Sequence, residues 1–168
     1  MEPALGTPPV AAVWLLLPAV PIGLYSAFTD LREMRIPNHA VAALVIGFAV
    51  FGLIGLPFAD WAWRWLNLAF VLALGVAFYA AGALGAGDAK FAAAAAPYIA
   101  AADWPLVTIL LAGISLAAWA AHRVARASPL RSLAPHWKSW TSGKRFPLGL
   151  ALGPTLIAYL VIAAVSAA

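Results

Sequence analysis

Cysteine is absent from this 168-residue chain, which removes disulfides, thiolate zinc sites and cysteine nucleophiles from consideration. Histidine is scarce too: His39, His122 and His136 are too scattered to suggest a metal cluster, so no metal or cofactor is expected. Charge is the third scarcity. Asp, Glu, Lys and Arg make up 10% of the residues against 65% hydrophobic ones, far from soluble averages, and the chain reads as an all-α integral membrane protein. The segment ahead of the first apolar run, MEPALGTPP, holds Glu2 and no Lys or Arg, so a cleavable signal peptide is not expected and the first run should stay. The net charge of +4 does not call for a nucleic-acid partner, because the basic residues gather mainly in one loop, which topology explains more simply.

What is abundant is apolar sequence. Four runs, 10–28, 39–56, 65–84 and 147–167, approach the ~20 residues needed to cross a bilayer. Reading 106–121 as a further span leaves 88–102 as a shorter one. The result is a single membrane domain of six transmembrane helices with a short fourth and a basic loop at 122–146. Cytoplasmic loops are enriched in Lys and Arg. With six helices, Arg32, Arg35, Lys90, Arg123, Arg126, Arg131, Lys138, Lys144 and Arg145 share one side and Arg64 alone falls on the other. That side is read as cytoplasmic. A five-helix alternative, with 89–102 re-entrant, loses the asymmetry. The loop 122–146, with Trp137 and Trp140 among its basic residues, is expected along anionic lipid headgroups. Trp61, Trp63 and Trp65 around Arg64 read as an outer aromatic belt.

Six acidic residues occur. Glu2 lies in the tail, Asp60 and Asp103 in outer loops, and Glu33 between arginines, which leaves Asp30 and Asp88 at the membrane boundary, where an acid usually faces protein. Asp88 has a capping alternative at the start of the short helix, and Asp30 has a solvated or arginine-paired alternative. Taken as a pair on separate helices, they suit another chemistry: two carboxylates sharing one proton can activate water for amide hydrolysis. If Asp30 ends a helix and Asp88 begins one, the helix dipoles favour Asp88 as the initial base and Asp30 as the proton donor. Gly85 and Gly87 beside Asp88 offer conformational freedom and clearance for an extended peptide. Pro37 disfavours helix at Ile36, and Asn38 is placed to cap the second membrane helix. Ala92 to Ala96 permit close helix packing.

DLREMRIPN (Asp30, Pro37 and Asn38), GAGDAK (Gly85, Gly87, Asp88 and Lys90) and RFPLGLALG (Pro147 and Gly149) occur in this order. Together they resemble the prepilin peptidases, or type IV leader peptidases, membrane aspartic proteases with a GxGD signature. The resemblance spans most of the chain. It implies that Asp30 and Asp88 are catalytic, that no cofactor is used, and that the partners are prepilin or pseudopilin substrates and membrane lipids. Such a substrate has a short basic leader, a glycine before the cut and a following hydrophobic helix. The implied location is the bacterial inner membrane with the site facing the cytoplasm. Bifunctional members carry a cytoplasmic segment with paired CxxC motifs linked to N-methylation. This cysteine-free chain is therefore expected to cleave without methylating, as small Tad/Flp-type members do. A proton-coupled carrier and a pilus or secretion assembly scaffold stand as non-enzymatic alternatives, and presenilin-like intramembrane proteolysis as an enzymatic one.

Overall fold

A computed structural model describes residues 5–143 and 145–166; Glu2, Lys144 and Ala167, named above, lie outside the described residues. Six principal helices form the bundle. They are α1 (Pro9–Glu33), α2 (Asn38–Gly55, with a π turn at Phe48–Gly52), α3 (Phe58–Ala80), α4 (Ala86–Ala95), α5 (Trp104–Ala127) and α6 (Gly149–Val165). Four helical stretches, Pro9–Glu33, Asn38–Gly55, Phe58–Ala80 and Ala101–Ala127, are long and apolar enough to cross a membrane, and α6 is apolar at 17 residues. The protein is thus an all-helical, multi-pass membrane protein.

Helix ends follow local chemistry more closely than the apolar runs do. The first helix continues past residue 28 through Asp30 to Glu33, because nothing in TDLRE breaks a helix before Pro37 forces its predecessor to be extended. Met34 ends it in a left-handed conformation (φ 55°), donating its N–H to the Asp30 carbonyl. Asp30 therefore lies near the end of a helix that runs five residues past the expected end at residue 28. The third helix starts directly after Pro57 and stops at Ala80, just before Gly82 turns the chain at φ 73°. The expected start at residue 65 is corrected accordingly.

The short fourth span departs furthest from expectation. Helix α4 covers only ten residues, about 15 Å at ~1.5 Å per residue. Pro97 interrupts the α-helical hydrogen-bond ladder, and the chain crosses the rest of the bundle as a 3₁₀ turn (Ala96–Tyr98), two extended residues and a second 3₁₀ turn (Ala101–Asp103). Non-helical backbone survives at membrane depth only where protein satisfies its polar groups, and neighbouring helices do so here. Arg64 Nη1 donates to the Tyr98 carbonyl (3.1 Å), Asn67 Nδ2 donates to the Ile99 carbonyl (2.9 Å), and the Ala100 N–H donates to the Tyr159 hydroxyl (3.2 Å).

These bonds belong to a buried polar cluster at the end of the bundle remote from Asp30. Asp103 accepts from the Gly6 N–H (3.0 Å) and the Tyr159 hydroxyl (2.6 Å), while Arg64 also donates to Thr7 Oγ1 (3.0 Å). Asp103 and Arg64 are both buried. Asp103, expected in an outer loop, is instead buried in a 3₁₀ turn, and Arg64, around which the aromatic belt was expected, is buried beside it; both hold the irregular crossing in place. Of the three tryptophans, only Trp63 is exposed, whereas Trp65 meets the buried Phe48 edge-on at 5.2 Å. Replacing Tyr159 with Phe removes one partner each from Ala100, Asp103 and Thr7, and leaves the buried Ala100 N–H and Asp103 Oδ2 without theirs. It is expected to cost about 1–3 kcal/mol for the polar groups left unpaired, read as a lower thermal midpoint in detergent.

Helix α1 packs along α6, α3 along α4, and α5 along α6. The α1–α6 seam is very close: a Cβ on Gly153 would collide with the Gly23 carbonyl oxygen and lie 3.1 Å from the Gly23 Cα. Gly149 and Gly153 form a small-xxx-small face of the kind that lets membrane helices approach backbone to backbone. The segment between α5 and α6 is built from short turns at Pro129–Leu133 and Lys138–Trp140. Part of it folds back against the bundle: Trp140 is buried and stacks on His122 (5.0 Å), and Trp137 meets Phe28 edge-on at 5.9 Å. Leu130 and Leu133 stay exposed.

Candidate active site

Three separate segments deliver the site. Asp30 comes from the last turn and a half of α1, Asp88 from the first turn of α4, and Gly149 from the first residue of α6. Asp30 is 5% exposed, deep for a carboxylate, and Asp88 is half-buried. Both line the same two adjoining cavities, one of about 540 Å³ that also meets Arg145, Phe146 and Leu148, the other of about 320 Å³ that also meets Asn38 and Lys90. Met34 and Gly85 border both cavities. Two acids 58 positions apart in sequence thus converge on one concave space at one end of the bundle.

The backbone fixes Asp30. The Gly149 N–H donates to its Oδ2 at 2.7 Å in a buried contact. This bond depends on glycine, since a Cβ at position 149 would sit 2.9 Å from the Asp30 Cβ and 3.0 Å from Oδ2. Pro147, fully buried just upstream, and Leu148 lead the chain into α6 so that its free N-terminal N–H faces the carboxylate. Two helix ends of opposite polarity therefore meet at Asp30, the C-terminus of α1 and the N-terminus of α6. The N-terminus of α6 offsets the C-terminal dipole of α1, which removes the expected preference for the proton on Asp30.

Asp88 is not the helix cap. Gly85 holds that position without any side-chain cap, and Asp88 stands three residues inside. Neither Gly85 nor Gly87 takes a positive φ, so the conformational freedom expected of them is not used. Gly85 matters by its size, because a Cβ there would lie 2.6 Å from Asp88 Oδ2, whereas a Cβ on Gly87 would make ordinary contact with the Ile36 backbone at 3.5 Å. Asn38 likewise does not cap. Pro37 occupies the cap position of α2, and Asn38 Oδ1 instead accepts from Lys90 Nζ at 3.3 Å, tying the start of α2 to α4 across the smaller cavity.

All the motif residues named from sequence fall at this end of the bundle, with Asp30, Asp88, Gly85, Gly87, Asn38 and Lys90 on the cavities, Gly149 on Asp30, and Pro37 and Pro147 setting the two helix starts. Met34, Ile36, Arg145, Phe146 and Leu148 also line the cavities and were not singled out. Their only sequence signal is adjacency to the motif positions. Among the described residues no group of three or more metal-ligating side chains occurs, and neither aspartate forms an ion pair.

An all-helical membrane bundle with two carboxylates converging from separate helices defines the class of an intramembrane acid-pair site. A sequence family described as the type IV leader peptidase family matches residues 15–121, well over half the chain, and the protein belongs to it. It is a multi-pass membrane protease of leader-peptidase type. The matched range contains both aspartates and ends before the Pro147–Gly153 block, whose place at the site rests on geometry. No curated protein and no solved structure matches the chain.

With the Gly149 N–H orienting Asp30, an alanine at position 149 should lengthen that bond and push the carboxylate aside. Cleavage by Gly149→Ala is expected to fall by about 10- to 100-fold, the scale of a sub-ångström to ångström misplacement, while the protein remains in the membrane. Single-turnover rates on a leader-bearing substrate measure it.

Proposed function

We propose that the protein is an aspartic endopeptidase that removes short basic leaders from prepilins or pseudopilins of Tad/Flp type, with Asp30 and Asp88 as its catalytic pair. One observation carries this reading: Asp30 and Asp88, from separate helices, line the same two adjoining cavities. In the mechanism, a water between the carboxylates loses a proton to the ionised member as its oxygen attacks the scissile carbonyl. The protonated member gives its proton to the carbonyl oxygen, and collapse of the tetrahedral diol returns a proton to the leaving amine. Two like charges so placed disfavour double ionisation, so the pair holds one proton between them and titrates as a unit. The Gly149 N–H keeps one Asp30 oxygen fixed through these steps.

The cavity opens among basic residues, with Arg35 and Lys90 on one side and Arg145 on the other. By the charge rule for membrane topology this end faces the cytoplasm, and a bacterial inner-membrane location follows from the same reading. The absence of cysteine from the sequence supports cleavage without methylation of the new amino terminus. Co-expression with a leader-bearing pilin tests the reading. Conversion to the shorter form by the wild-type chain, lost in Asp30→Asn and in Asp88→Asn, is the expected result; conversion by either variant at the wild-type rate removes the dyad.

A further inference from the structure

A second concavity adjoins the carboxylates and has a different character. Helices α3 and α5 pack on α4 and α6 respectively but not along each other, and each buries little of its apolar window in the bundle, 11% and 6%. The groove between them has a volume of about 390 Å³. Its walls are Leu74 and Phe78 on α3 and Val107 and Leu111 on α5, and its floor includes Ala92 and Ala95 on α4. Small residues make that floor shallow and close to backbone: Gly75 of α3 rests so near α4 that a Cβ on it would lie 2.9 Å from the Ala89 Cβ.

The groove leads to the acid pair. Leu84 lines both it and the 540 Å³ cavity holding Asp30 and Asp88, and Ala89, the residue after Asp88, also faces it. Two threonines break its apolar lining: Thr108 on α5 donates its hydroxyl to the Trp104 carbonyl (2.8 Å), whereas the Thr155 hydroxyl on α6, 4% exposed, has no hydrogen-bond partner among the described residues. Buried polar groups are nearly always paired. The rest of α3 and α5 presents convex apolar surface, such as Phe70 and Ile109, which needs only lipid.

We infer that this groove seats the hydrophobic helix of the substrate, so that the chain leaving the groove past Leu84 reaches the carboxylates as extended peptide. The inference rests on the protease reading above. The chemistry fits a helix better than loose acyl chains. Association of helices inside a bilayer depends on close packing against small residues, which the alanine floor supplies, and on occasional hydrogen bonds between helices, for which Thr155 is positioned. A helix about 10 Å across needs two walls and a floor, and the substrate's own unwound end would satisfy its backbone in the polar cavity rather than in lipid.

The cysteine-free sequence makes the test direct. Single cysteines at Leu74 and Leu111, facing the groove from opposite walls, and at Ile109, facing outward, are introduced into the Asp88→Asn chain. Each is paired with a scan of single cysteines along the apolar helix of a leader-bearing pilin in membranes. Both groove positions are expected to cross-link to the pilin with a repeat of three to four residues, at least tenfold more efficiently than Ile109→Cys. Equal cross-linking from Ile109→Cys, none from either wall, or cross-linking only between two copies of the protease overturns the inference; the last two would leave the groove to lipid or to a homodimer. A second measurement uses Ala92→Phe, which raises the floor. Cleavage of the full pilin should fall tenfold or more relative to cleavage of a soluble peptide with the same leader and cut site, and an equal loss on both substrates counts against a helix seat. Activity persisting in Asp30→Asn and Asp88→Asn would instead remove the dyad, whatever the cross-linking pattern.

Discussion

Asp30→Asn and Asp88→Asn are each expected to reduce leader cleavage by at least about 10²- to 10⁴-fold, the contribution of a positioned acid or base, without loss of the folded protein. The amide is chosen deliberately. Its oxygen can still accept the Gly149 N–H at position 30, so the 2.7 Å contact that orients the residue has a replacement acceptor. Alanine would leave that buried N–H unpaired and confound chemistry with stability. Asp88, half-buried and in no ion pair among the described residues, tolerates the amide more easily still. Because two groups sharing one proton act as a unit, the double variant should be no slower than the worse single one. Additive losses would show that the two carboxylates act in separate steps.

The second large effect is expected at a residue outside the two cavities that hold the aspartates. Gly153→Leu places a branched side chain where even a Cβ collides with the Gly23 backbone, and backbone cannot step aside as the end of a flexible side chain can. Overpacking of this kind costs typically about 1–3 kcal/mol. Here it also tilts the start of α6, which carries the Gly149 N–H, away from Asp30. Both the thermal midpoint and the cleavage rate should fall, and a rate that falls while the midpoint holds would mean that the seam serves orientation alone. Gly153→Ser is expected to be milder but still impaired, since its Cβ meets the same obstacle.

Much of the site was legible in sequence because its chemistry is scarce. In a chain with six acids, Asp30 and Asp88 stand out by position, and the prolines and glycines around them mark the helix starts that the structure uses. The glycine roles were not legible. Conformational freedom and size look alike in a string of letters, and only packing reveals that Gly85 is needed for room beside a carboxylate while Gly149 is needed for contact with another. Nor could the fourth crossing be read correctly. Its apolar composition resembles a short helix, but the break after Pro97 depends on donors and acceptors supplied by Arg64, Asn67 and Tyr159 from distant positions. For the same reason Asp103 and Arg64 looked peripheral until folding brought them to Gly6 and Thr7.

That irregular crossing bears on how the protein is made. Residues 96–103 cannot rest in lipid on their own, because the Tyr98 and Ile99 carbonyls find partners on α3, already synthesised, and the Ala100 N–H finds one on α6, synthesised later. The segment carrying Asp88 into the membrane is therefore complete only once Tyr159 has arrived. The order of synthesis thus leaves the two aspartates in an unfinished bundle until α6 has inserted.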